Sequence, residues 1–275
     1  MLKKINPSIL FLFIFFIGLS LLLYPTISDY WNSLHQSKAV AGYVDQVNQL
    51  SENDTSKILE EAQRYNAFLS QNTIPDLNVI EEELSHYNQL LNITDIGIMA
   101  YVEIPKLKTN LPIYHGVDES VLQVAIGHIP GTSLPVGGQG THAVISGHRG
   151  LPSAKLFSDL DQMVEGDQFL IQVLDETLTY EVDQILTVTP DDVSALKINP
   201  ERDYVTLVTC TPYGVNSHRL LVRGHRVSNA STPKTRIIGE ATRVSRILVS
   251  ICIAILIFCL LPILRKVIDF LRLLI

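Results

Sequence analysis

Cysteine and charge are both scarce in this chain, and each scarcity excludes a class of protein. Three cysteines in 275 residues are too few for the disulfide framework of a small secreted scaffold. No group of His, Cys and Asp has the spacing of a structural zinc site. Charged residues make up 18% of the sequence, and acidic ones outnumber basic ones by 28 to 21. The clustered Lys and Arg that a phosphate backbone requires are therefore missing, which rules out nucleic acid as the main partner. There is no internal repeat and no low-complexity tract.

Apolar residues, by contrast, are abundant and concentrated at the two ends. Residues 5–27 carry no charge, between Lys3-Lys4 and Asp29. About 20 apolar residues suffice to cross a bilayer as a helix. A cleaved signal peptide shares the basic start and apolar run, but Tyr24-Pro25-Thr26 makes a poor cleavage site. A second uncharged block at 247–264 is followed by Arg265, Lys266 and Arg272 and reads as a second span. Basic residues at both outer ends place 29–246 outside the cell, although Lys234, Arg236, Arg243 and Arg246 weaken the asymmetry at the second span.

Between the spans the patterning changes twice. Val40, Tyr43, Val44, Val47 and Leu50 mark one helical face, and Ile58, Leu59, Ala62, Tyr65 and Leu69 mark another after a polar break at 51–55. The segment 71–76 is a loop by its Asn, Pro and Asp content, and a short helix is expected over 79–91. From Ile96 onward short strands follow at 97–104, 111–114, 141–146, 167–173, 178–188, 204–210 and 219–227. A turn is expected at Asp175-Glu176, with short helices over 119–124 and 153–160. Many short strands without alternating long helices suggest a closed, mainly β barrel. The division so expected is an anchor at 1–28, a helical region at 29–95 and a β-barrel domain at 96–228. A tether at 229–246, a span at 247–264 and a basic tail at 265–275 complete it.

Cys252 and Cys259 fall in the second apolar block, which leaves Cys210 alone in the exported part. A buried inert thiol is the ordinary reading of a lone cysteine, but in an oxidising compartment a functionless thiol is a liability. Tyr204-Val-Thr-Leu-Val-Thr-Cys210 ends a β-branched strand. The turn residues 211–218 follow, and a new strand begins at Arg219. An antiparallel return would bring Arg219 beside Cys210, where a fixed cation favours a thiolate and can hold an oxyanion; the alternative is a solvated surface arginine. A proton carrier is also needed, and His is the usual one. Among eight histidines, His148 stands just after a strand in the Gly-flanked turn Ser146-Gly-His-Arg-Gly150. His218 is its first competitor, while His115, His128 and His142 read as ordinary loop or strand-end residues.

The segment Thr206-Leu-Val-Thr-Cys210, with Arg219 nine residues on, resembles the sortases, and specifically the pilus-assembling class C. Gly131-Thr-Ser-Leu-Pro-Val-Gly-Gly138, the stretch around His148 and Gly97–Lys106 are similar to that class as well. The resemblance implies an eight-stranded sortase-type barrel with Cys210 as nucleophile, His148 as general acid and Arg219 holding the substrate carbonyl. It implies cleavage of an LPxTG-like signal between Thr and Gly and transfer to a pilin lysine. The partners would be pilin subunits and the membrane, with no metal or organic cofactor. Class C members usually carry an Asp-Pro-aromatic lid. Here Ile74, Pro75 and Asp76 stand in the corresponding region without that order, so a plain helix–helix loop remains the other reading. A wall-anchoring sortase using a peptidoglycan amine, a non-catalytic pilus-assembly scaffold and a secreted thiol peptidase are the competing functions.

Overall fold

The computed structural model describes residues 7–71, 80–94 and 96–229, together with Pro75, Leu77, Ser250 and Ile253. Most of the second apolar block and most of the tether lie outside the described residues.

The first apolar run and the first amphipathic face belong to one helix, α1 (Pro7–Val47), long and apolar enough to cross a membrane. Pro25 sits inside it, where its missing N–H removes one helical hydrogen bond. The helix α2 (Glu52–Leu69) starts where the polar break was read. Ser51 is its N-cap, with its hydroxyl accepting the Asp54 N–H at 3.2 Å, so that break is a helix start. The helix α3 (Glu81–Tyr87) is shorter than the expected 79–91.

Eight strands follow: β1 (Ile98–Ile104), β2 (Thr109–His115), β3 (Ile126–His128), β4 (Thr141–Ser146), β5 (Gln168–Val173), β6 (Glu176–Val188), β7 (Asp203–Thr211) and β8 (His218–Val227). They close in the order β1-β2-β3-β4-β7-β8-β6-β5. Closure leaves no sheet edge for another chain to pair with. The interior is apolar, with Val102, Ile113, Ile145, Phe169, Ile171, Leu207 and Val222 all buried in one cluster. A four-residue helix, α4 (Glu119–Leu122), precedes β3.

Three expectations need correction. The strand β3 was not anticipated, because three residues are too few to show alternation. The β5–β6 turn is Leu174-Asp175, since Glu176 already pairs with Val173. Residues 153–160 are turns, with a single 3-10 turn at Leu160–Gln162. Their apolar spacing imitates a helix, but the backbone bonds go elsewhere. The Phe157 N–H donates to the His148 carbonyl at 3.2 Å, and the Lys155 N–H donates to Asp29 Oδ1 at 2.7 Å. Ala154, Leu156, Phe157 and Leu160 fill the core beneath this segment.

The helical region is fixed to the barrel by polar bridges as well as packing. Asn66 on α2 is buried; its Oδ1 accepts the Leu134 N–H at 2.7 Å and its Nδ2 donates to the Leu134 carbonyl at 3.0 Å. Asn66→Ala strands two backbone groups at a fully buried residue, so urea unfolding is expected to show a loss of about 2 kcal/mol. A loss below about 0.5 kcal/mol would mean that water replaces the side chain there.

Candidate active site

In the β7–β8 hairpin Cys210 pairs directly with Arg219, and Thr211 with His218. Directly opposed residues of an antiparallel ladder project to the same face with Cβ atoms about 5 Å apart. The thiol and the guanidinium therefore start from adjacent positions on one surface. Cys210 is free and half-buried. The connecting loop turns on bonds from the Val215 and Asn216 N–H groups to the Pro212 carbonyl at 3.1 and 3.0 Å. Arg219 Nη1 donates to the carbonyls of Asn216 and His218, each at 3.2 Å. The guanidinium is thus tied to its own loop.

His148 arrives from the other side of β7. Strands β4 and β7 run parallel with a constant offset, from Thr141↔Asp203 to Ser146↔Val208, which is 62 positions. The offset persists past the end of β4. Thr209 Oγ1 donates to the Gly147 carbonyl at 2.7 Å, and Arg149 Nη1 donates to Thr211 Oγ1 at 3.3 Å. His148 lies between these two contacts on its loop, as Cys210 lies between Thr209 and Thr211 on β7. Gly147 is required here: a Cβ would come within 2.7 Å of Ile126 and of the Phe157 ring, so only glycine lets the chain pass this close to the core. His148 Nε2 is buried without a hydrogen bond among the described residues. Glu119 Oε2, on α4, stands 3.8 Å from it.

The structure also brings in Arg149, which the sequence did not single out. Its side chain is only 10% exposed and pairs with Asp161 while bonding Thr211. Its guanidinium lies 6.0 Å from the centre of the Tyr213 ring. Tyr213 in turn covers Gly150, where a Cβ would meet the ring at 2.8 Å and φ is +77°. Arg149 thus ties the loop after β4 to the loop after β7. Adjacency to His148 was the only sequence signal for it. Of the lid candidates, Pro75 is buried, while Ile74 and Asp76 lie outside the described residues.

The other histidines have structural partners. His128 Nε2 faces the Ser133 carbonyl at 2.8 Å, so that nitrogen carries the hydrogen and Nδ1 accepts from the Tyr87 hydroxyl at 2.9 Å. His142 Nδ1 donates to the Lys197 carbonyl at 3.0 Å, and Nε2 accepts from Thr206 Oγ1 at 2.7 Å. His115 is held between the carbonyls of Gly97 and Leu90. His218 leans on Ser217 Oγ at 2.9 Å.

Burial pushes both His128 and His142 down to about 4, against about 6.5 for an unfolded ring. Between those values the unfolded chain binds protons that the folded chain refuses. Stability is therefore complete above about pH 6.5 and falls as pH drops toward 4. Urea titrations at pH 7 and 4.5 are expected to differ by several kcal/mol, on the order of 3 per histidine at the full shift. A flat profile would mean that the two rings are hydrated.

A family model for the sortase domain matches residues 102–227. Sortase C1 from Streptococcus agalactiae is 52% identical, the match covering 70% of this chain and 99% of that one, with a TM-score of 0.68. Sortase C from Streptococcus pneumoniae is 42% identical over 70% of this chain and 97% of its own, with a TM-score of 0.63. Among curated proteins, Sortase D of Bacillus subtilis strain 168 is 30% identical over 46% of this chain and 63% of its own length. The chain spans between 42% and 63% of the length of the curated relatives it matches. The chain belongs to the sortase family of cysteine transpeptidases, and its solved neighbours agree with class C.

Proposed function

We propose that this chain is a membrane-anchored, extracellular pilus-assembling sortase, with Cys210 as nucleophile, His148 as general acid and base, and Arg219 as oxyanion and substrate holder. The observation that carries the reading is the convergence of β4, β7 and β8. Cys210 pairs with Arg219 across the β7–β8 ladder, and the residues on either side of His148 bond those on either side of Cys210, which supports grouping the three at one barrel rim. The Cys210 thiolate attacks the threonine carbonyl of an LPxTG-like signal, and a carbon–sulfur bond forms. Arg219 donates hydrogen bonds to the resulting oxyanion. The Thr–Gly bond breaks as His148 hands its proton to the glycine amine. A pilin lysine amine then attacks the thioester and loses a proton to His148, so that an isopeptide bond forms, the carbon–sulfur bond breaks and Cys210 leaves as the thiolate. The His148 Nε2, which makes no hydrogen bond among the described residues and has Glu119 Oε2 at 3.8 Å, supports this role. The pilin assignment is supported by the 42% identity to Streptococcus pneumoniae Sortase C, whose structure is described in terms of pilin substrate specificity.

Arg219→Lys is expected to lose about 100-fold in kcat/KM, because a point charge cannot replace two directed donors. Turnover within about threefold of wild type would remove Arg219 from the oxyanion role. The function itself is tested by incubating the chain with candidate pilins and reading the product linkage by mass spectrometry. An isopeptide bond from threonine to a pilin lysine is expected. Threonine joined to a peptidoglycan amine would favour the wall-anchoring reading, and a free threonine carboxylate would favour a peptidase.

A further inference from the structure

Three polar residues of α1, just past the apolar run that ends at Ile27, lie at i, i+3 and i+7 and so share one helical face. All three are hydrogen-bonded to the rim that carries His148. Asp29 Oδ1 accepts the Lys155 N–H at 2.7 Å, and Asn32 Nδ2 donates to the Ser153 carbonyl at 2.8 Å. Gln36 Nε2 donates to the Val124 carbonyl at 2.7 Å.

The first two bonds fall on the segment that leaves His148. That segment closes back on His148 through the Phe157 N–H. Between the two anchored amides, Leu156 sits at φ +38°, a left-handed conformation that a leucine holds only when its neighbours impose it. The third bond falls just after α4, whose Glu119 faces His148 Nε2 at 3.8 Å. One face of the anchor helix therefore holds the elements on both sides of the imidazole. The helix does not depend on these bonds for its own docking. Farther along, Tyr43 is buried, accepts the Leu174 N–H at 2.8 Å and donates to the Met99 carbonyl at 3.1 Å. Val40 and Val47 pack with it against Ile98 and Tyr101.

We propose that Asp29, Asn32 and Gln36 are positioning residues that hold His148 in line with Cys210, making the extracellular root of the membrane anchor a working part of the active site. The inference rests on the catalytic role proposed for His148. It also gives the anchor a task beyond tethering. Residues 29–36 span about 10 Å of helix, so the catalytic rim is held next to the point where the chain leaves the bilayer.

The test compares full-length wild type with Asp29→Ala/Asn32→Ala/Gln36→Ala in detergent micelles, reading kcat and KM for transfer of a sorting-signal peptide to an amine. The triple variant is expected to lose about tenfold in kcat with KM within about twofold, because misalignment penalises the chemical step more than binding. Asp29→Ala alone should lose about threefold, and Asp29→Asn, which keeps the acceptor oxygen, should restore nearly all of it. A triple variant within twofold of wild-type kcat, or one altered only in KM, overturns the proposal. Hydrogen exchange at the Lys155 and Phe157 amides gives a readout independent of turnover. Exchange at least about tenfold faster in the triple variant is expected, and unchanged protection overturns the clamp. If wild type itself transfers nothing, the sortase reading has failed, and the exchange result alone still decides whether the clamp exists.

Discussion

Cys210→Ala is expected to abolish formation of the thioacyl intermediate and of any transfer product, a loss of at least about 1000-fold. The expectation follows from topology and chemistry together. Cys210 is the only free thiol among the described residues, and it faces Arg219 across the β7–β8 ladder. The substitution removes one sulfur from a half-buried strand end, so the fold should survive, and circular dichroism serves as the control. Wild-type product formation by the variant would require another nucleophile and would dismantle the mechanism.

The second large effect separates two histidines that the sequence left in competition. His148→Ala is expected to lower kcat by about 100- to 10,000-fold, the usual contribution of a positioned proton carrier. His218→Ala should stay within about threefold of wild type. The reason is geometric. His148 stands between Gly147 and Arg149, which bond Thr209 and Thr211 on either side of Cys210, whereas His218 pairs with Thr211 and bonds the neighbouring Ser217 hydroxyl. An inactive His218→Ala beside an active His148→Ala would reverse the assignment.

Parts of the molecule were legible because their determinants are local. The β7–β8 hairpin is written in a β-branched strand, a turn-forming loop and a resumed strand, so the approach of Arg219 to Cys210 followed from eight intervening residues. The barrel class followed from the run of short strands. The β3 strand escaped because its three residues acquire strand character only from their neighbours on both sides. Residues 153–160 misled for a related reason: their apolar spacing serves a core contact, while their amides are claimed by His148 and by Asp29, 126 positions earlier.

His148 was singled out only through its motif, because a parallel pairing between residues 62 positions apart cannot be read from either strand alone. The tie made by Arg149 to Asp161, Thr211 and Tyr213 depends on the β4–β5 connection meeting the β7–β8 loop. Contacts of that kind are set by the assembled barrel, and no local pattern announces them. The same holds for the face of α1 at Asp29, Asn32 and Gln36, which the sequence reading did not single out.

The account's central claim is that one barrel rim makes the Cys210 sulfur an acyl carrier. Incubating the chain with a sorting-signal peptide, quenching in acid and mapping the adduct by mass spectrometry tests it most directly. The predicted result is the acyl fragment ending in threonine, bound as a thioester to the peptide containing Cys210 and released by an added amine. Cleavage of the signal peptide with Cys210 never acylated, or acylation at another residue, would contradict it.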